Sequence, residues 1–317
     1  MSAFPTDPIT TEGLAERRAQ PPVLLLNTGD ASPVKVSERS ASAPRGAPDV
    51  PLRVYEPPSV GRGVGCILHI HGGGYVMGRA AGLEPLHRHM SAELNCVLVS
   101  VDYRLAPETR FPSNLEDCYA ALSWLFHSSA ELNVDTQRIG VMGESAGGGL
   151  AASLALLARD RREYLLAFQH LIYPMLDDRT CVTQNPHPYA GQAVWTADDN
   201  LFGWSALLGT APGSERISPY AAPARAENLT GLPQTFISTG ALDLFAEEDI
   251  EYARRLMRAG VPVELHVYPR AFHGFDRHPT AQVAQAARRD SLTALARFLG
   301  RSGATHSSDR RPVVDTR

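Results

Sequence analysis

The sequence predicts an α/β protein, a mostly parallel sheet with helices on both faces and a cap over one edge. Short apolar runs alternate with segments of helical period from about residue 50 onward. Glycine clusters close several of those runs, on the edge where parallel sheets place their sites. A stretch rich in proline and aromatic residues, 178–228, breaks the alternation once. With 317 residues, 44% hydrophobic and 20% charged, the chain is of the globular class, large enough to bury a core and cover a pocket.

Residues 1–48 are rich in Pro, Ser, Thr and Ala and read as a partly flexible N-terminal cap segment, with a helical hint at 12–19. The first part of the core, 49–177, carries strand patterns at 50–55, 65–70, 96–101, 138–142 and 166–173. Helical spacing covers 115–126, where Leu115, Tyr119, Leu122 and Phe126 recur three or four apart, and 146–158, a run of small residues and leucines. The second part, 229–301, adds strands at 234–239 and 263–268 and helices at 246–259 and 281–299. The stretch 178–228 reads as a cap insertion, and 302–317 as a disordered tail.

A net charge of −4 gives no footprint for nucleic acid or for an anionic membrane. No apolar run approaches the ~18–20 residues that cross a bilayer, and the first residues lack the basic and apolar regions of a signal peptide. A cytoplasmic location is the expectation. Cys66, Cys96, Cys118 and Cys181 show no metal-ligand spacing and read as free thiols.

Gly143-Glu144-Ser145-Ala146-Gly147 fits the G-x-S-x-G pattern of a serine held on a sharp strand-to-helix turn. The pattern is weak alone; here an apolar run precedes it and a helical one follows. A helix N-terminus beneath Ser145 would set positive dipole and free N–H groups beside a developing oxyanion. His71-Gly72-Gly73-Gly74 follows another strand pattern, and its glycines would let backbone N–H groups approach a substrate oxygen. A phosphate cradle is the rival, but no G-K-[ST] follows. His71 itself reads as a loop-fixing hydrogen bonder; a metal held by His69 and His71 is disfavoured. A nucleophilic serine needs a base and an acid to orient it. His273 and Asp243 each lie just past a strand pattern, in the chain order Ser, Asp, His of this architecture. Asp243 could instead only cap the next helix, with Glu247 or Asp249 then as the acid.

HGGGYV, DYRLAPE (102–108), GESAGG (143–148), the stretch around Asp243 and HGF (273–275) together resemble the bacterial hormone-sensitive-lipase-like esterases, from about residue 50 to 299. The resemblance implies an eight-stranded α/β-hydrolase sheet, capped by the N-terminal segment and the insertion. It implies an oxyanion hole of the Gly73, Gly74 and Ala146 N–H groups, and a Ser145–His273–Asp243 triad hydrolysing short- to medium-chain acyl esters. No cofactor is called for, and a small-molecule ester is the expected partner. Dimerisation through the last strand and its neighbouring helix is common in such enzymes, so a homodimer is one option. Tyr75, Trp195, Phe202 and Leu207 are candidates for the substrate pocket. An amidase, carbamate or lactone hydrolase with the same triad is the alternative, and a non-catalytic receptor on this fold a remoter one.

Overall fold

The continuous apolar runs become strands sealed between helices. The computed structural model describes residues 8–20, 33–43, 46–58 and 63–300; the reading of a disordered tail lies outside the described residues. In chain order the main elements are α1 (Leu14–Ala19), β1 (Lys35–Ala41), β2 (Val50–Glu56), β3 (Val64–Ile70), α2 (Glu84–Leu94), β4 (Val97–Val101), α3 (Ser113–His127) and β5 (Val134–Glu144). There follow α4 (Ala146–Arg161), β6 (Phe168–Ile172), α5 (Ala197–Leu208), β7 (Gln234–Gly240), α6 (Ala246–Arg258), β8 (Val263–Tyr268) and α7 (Gln282–Phe298). Every residue of β3, β4 and β6 is buried, as helices covering both faces of a parallel sheet require.

The eight strands form one sheet in the order β1-β2-β4-β3-β5-β6-β7-β8. β1 and β2 run antiparallel to their neighbours, and the remaining pairs are parallel. The loops after β3, β5, β7 and β8 therefore leave the same edge, and each carries one of the motifs singled out in the sequence. Two apolar clusters fill the two faces: Leu122, Leu154 and Leu256 belong to one, and Met90, Leu94 and Phe298 to the other.

Two elements depart from the expectation. β1 comes from within the segment read as N-terminal cap, so the sheet begins at Lys35 rather than beyond residue 48. Its sequence KVSERSA is mostly polar because it is an edge strand, paired on one side only, with Ala41 alone fully buried. Within 178–228, α5 is a regular helix closed by a capping box of Thr196 and Asp199. The Thr-x-x-Asp spacing is a helix-start signal that the prolines around it obscure. Trp204 on α5 is fully buried, its ring 5.2 Å from that of Tyr75.

The Arg18 side chain fastens the N-terminal helix to the sheet edge. The Arg18 guanidinium donates to the carbonyls of Val76 and Ala106 at 2.7 and 2.8 Å, and to the Glu108 carboxylate. Ile9 N–H donates to Asp199 Oδ1 at 2.9 Å, joining the same segment to α5. Cys66, Cys96 and Cys118 are buried and Cys181 half-buried, all as free thiols. No helix among the described residues is long and apolar enough to cross a membrane.

Candidate active site

β5 ends at Glu144 and α4 begins at Ala146, which leaves Ser145 alone on the turn with φ 57° and ψ −126°. A side chain held at positive φ costs on the order of 1–3 kcal/mol and persists only where its surroundings over-determine it. Here they do. Ser145 N–H donates to the Ile172 carbonyl at 2.9 Å, and the Ser145 carbonyl accepts from the N–H groups of Gly149 and Met175. The flanking glycines are there for close approach: a Cβ on Gly143 would lie 2.2 Å from the Gly147 carbonyl oxygen, and one on Gly147 2.1 Å from that of Ile70.

Asp243 sits past β7 and is fully buried; its Oδ1 accepts the Phe245 N–H at 3.0 Å. His273 sits past β8, with Nδ1 at 2.9 Å from Asp243 Oδ2 and 3.1 Å from Oδ1. Its Nε2 lies 2.9 Å from Ser145 Oγ. With a carboxylate at Nδ1, the neutral ring carries its proton there and offers Nε2 as acceptor to the serine hydroxyl. Ser145 and His273 are each only 6% exposed. Aromatic rings fix the imidazole: Tyr173 stands edge-on at 4.7 Å and Phe245 at 5.2 Å, with Trp195 at 6.4 Å.

The loop after β3 passes alongside. Gly73 and Gly74 adopt φ of +120° and +60°, and a Cβ on Gly74 would come 2.1 Å from the Trp195 ring. Among the described residues none accepts a hydrogen bond from the backbone N–H of Gly73, Gly74 or Ala146. Three donors are thus uncommitted around the serine turn.

Glu144 ties that loop to the serine turn. It is buried, accepts the Gly72 N–H at 3.1 Å and pairs with His69 Nε2 at 2.9 Å, while Arg277 stands 3.8 Å away. Burial alone would raise this carboxyl, but the charge and hydrogen bond of His69, then Arg277 and the Gly72 N–H, hold it below the usual range. His69 Nδ1 is engaged by Ser100 Oγ at 3.0 Å. His71 does fix the loop: Nδ1 meets the Gly72 carbonyl at 2.8 Å and the ring stacks on Tyr103, with burial pushing the imidazole's pKa down. Among the described residues no group of three or more His, Cys, Asp or Glu side chains is arranged to hold a metal ion.

Of the pocket candidates, Trp195 is brought to the site. Tyr75 is turned into the core, its hydroxyl donating to the Met175 carbonyl at 3.1 Å. Leu207 is buried in the packing of α5, and its carbonyl accepts the Phe111 N–H. Phe202 is half-buried against the main core. No sequence signal marks Tyr173, Asp276 or Arg277; Glu144 carries one, through its place inside the serine motif.

Residues 67–277 match the family described as alpha/beta hydrolase fold. The chain belongs to the α/β-hydrolase family. Within it the chain falls in the hormone-sensitive-lipase-like branch. This hydrolase is 34% identical over 286 residues to the carboxylesterase NlhH of Mycobacterium tuberculosis, covering 87% of this chain and 86% of that one. It is 32% identical over 290 residues to the arylacetamide deacetylase of Oryctolagus cuniculus, covering 71% and 72% of the two chains. Its fold is similar to a solved structure titled bacterial heroin esterase, with TM-score 0.86, 39% identity, and 92% and 94% of the two chains covered.

Proposed function

We propose that this hydrolase is a serine carboxylesterase acting on short- to medium-chain acyl esters, with Ser145 as nucleophile, His273 as base and Asp243 as orienting acid. The observation that carries the reading is the hydrogen-bonded line from Asp243 through His273 to Ser145 Oγ, beside three uncommitted N–H donors. The esterase names of its relatives support the same chemistry.

Ser145 Oγ attacks the ester carbonyl carbon as its proton passes to His273 Nε2, and the carbonyl electron pair moves onto oxygen. That oxyanion faces the N–H groups of Gly73, Gly74 and Ala146, at the N-terminus of α4; losing one such donor typically costs about 3–4 kcal/mol. Asp243 stabilises the imidazolium without taking its proton. On collapse the Nε2 proton goes to the departing alkoxide and the acyl group stays on Ser145. Water then attacks the acyl-enzyme, giving its proton to Nε2, and the acid leaves as that proton returns to Oγ.

The cap in this reading consists of the N-terminal helix and the 178–228 insertion, joined by the Ile9–Asp199 hydrogen bond. Trp195, lying against Gly74, closes the space beside the oxyanion loop, which supports a short acyl chain. Hydrolysis of p-nitrophenyl esters from acetate to palmitate tests it. The rate should peak at short chains and fall roughly 10⁶-fold in Ser145→Ala; absence of serine-dependent turnover at every length overturns it.

The likeness to a deacetylase favours amides as a second reading. Matched aryl acetates and aryl acetamides decide between them by their kcat/KM ratio.

A further inference from the structure

On the face of the sheet covered by α2 and α7, beneath the loop that follows His273, lies a cavity of about 550 Å³. Ser145, Asp243 and His273 are not among its lining residues, and its volume is in the range of small-molecule sites. Its apolar lining comes from Met90, Met142, Ile172, Phe275 and Leu292. Polar and charged side chains share that lining, among them Ser238, Asp276, Arg288 and Arg289. Ser238 is 4% exposed and lines the cavity. Arg288 is half-buried and holds the loop by donating to the carbonyls of Asp276, His278 and Pro279. Among the described residues no carboxylate lies within ion-pairing distance of it. The Asp276 carboxyl, also in the lining, accepts the Tyr173 hydroxyl; burial pushes its pKa up, against the charges of Arg277 and Arg288.

A half-open, partly apolar space with the Arg288 and Arg289 guanidinium groups and the Ser238 hydroxyl in its lining suits an anion bearing a short hydrocarbon tail. We infer that this cavity binds a small alkyl carboxylate, its head on Arg288 and Ser238 and its tail among Met90, Met142, Ile172, Phe275 and Leu292. Such a ligand has the chemistry of the acid that ester cleavage releases; that identification, and only that, rests on the esterase reading. The occupant bears on the imidazole through a short path. Phe275 and Asp276 form part of the cavity wall, Asp276 accepts the Tyr173 hydroxyl at 2.7 Å, and the Tyr173 ring stands against His273. A carboxylate that draws Arg288 away from the loop carbonyls loosens the segment that positions His273.

Calorimetry with octanoate, octanol and octyl phosphate tests the site. Octanoate should bind at least tenfold more tightly than octanol, and at least tenfold more weakly to Ser238→Leu, which removes the hydroxyl, narrows the cavity and spares the Arg288 bonds. Arg288→Gln should weaken it similarly; since that change also frees the loop, Ser238→Leu is the deciding variant. In steady-state kinetics octanoate should lower kcat at saturating ester in the wild type and leave kcat unchanged in Ser238→Leu. Equal binding of octanol, tighter binding of octyl phosphate, binding indifferent to Ser238→Leu, or purely competitive inhibition would each overturn the assignment. Calorimetry needs no turnover: binding without ester cleavage would sink the esterase reading alone, and cleavage without Ser238-dependent binding would sink this one alone.

Discussion

The turn that carries Ser145 and the loop that carries His273 reach the same point by different means. The serine turn is a backbone construction. Its strained φ is held by three main-chain hydrogen bonds and by carbonyls packed where only glycine fits. The histidine loop is a side-chain construction: Asp243 on one ring nitrogen, Tyr173, Phe245 and Trp195 around the ring, and Arg288 tying down the segment beyond. A change in the first should cost fold and activity together. A change in the second should cost activity and leave the fold standing.

The largest expected effect sits on the histidine side. Asp243→Asn keeps the shape and the acceptor for Phe245 N–H, but favours the wrong imidazole tautomer; kcat should fall by about 10⁴ with little change in the urea midpoint. A large loss of stability in that variant would break the contrast. Next comes Glu144→Ala on the serine side. It leaves His69 and Gly72 N–H buried without their acceptor, and unfolding in urea should show a loss of about 3–5 kcal/mol, with turnover falling too.

Acid sharpens the same point. The folded Glu144 carboxyl titrates below its unfolded value, so its contribution is full above about pH 4.5 and is lost as pH falls through the depressed folded value. The stability gap between wild type and Glu144→Gln should therefore narrow below that pH, as equilibrium denaturation at stepped pH would reveal. Smallest is Tyr173→Phe, which frees Asp276 Oδ1 and leaves the ring against His273. Losing one hydrogen bond of about 1 kcal/mol should lower kcat roughly fivefold with KM unchanged; an effect as large as that of Asp243→Asn would mean the loop is held by that bond alone.

The same contrast explains what the sequence disclosed. Backbone constructions write themselves in glycine: GESAG and HGGG announce a serine turn and a donor loop because no other residue fits there. Strands buried on both faces were equally plain as runs such as CVLVSV. Side-chain constructions leave no such mark. Tyr173, Asp276 and Arg277 converge on the site from β6 and the loop after β8, and nothing in their spacing says that a tyrosine hydroxyl meets an aspartate about a hundred residues away. β1 was hidden because an edge strand needs few apolar residues, and α5 because prolines on both sides masked its capping box. Tyr75 and Leu207 look like pocket residues by composition, yet packing claims them, since a large apolar side chain near a site serves the core as readily as a substrate.

The grip of Arg18 on the Val76 carbonyl has a practical consequence. Val76 belongs to the tight turn whose first carbonyl is that of Gly73, so the amino-terminal helix and the donor loop are parts of one mechanical unit. A protease that nicks the chain near Ala19, or an affinity tag that crowds Leu14, acts at a distance on the catalytic edge. Preparations of this hydrolase that differ only in their first twenty residues should therefore differ in kcat.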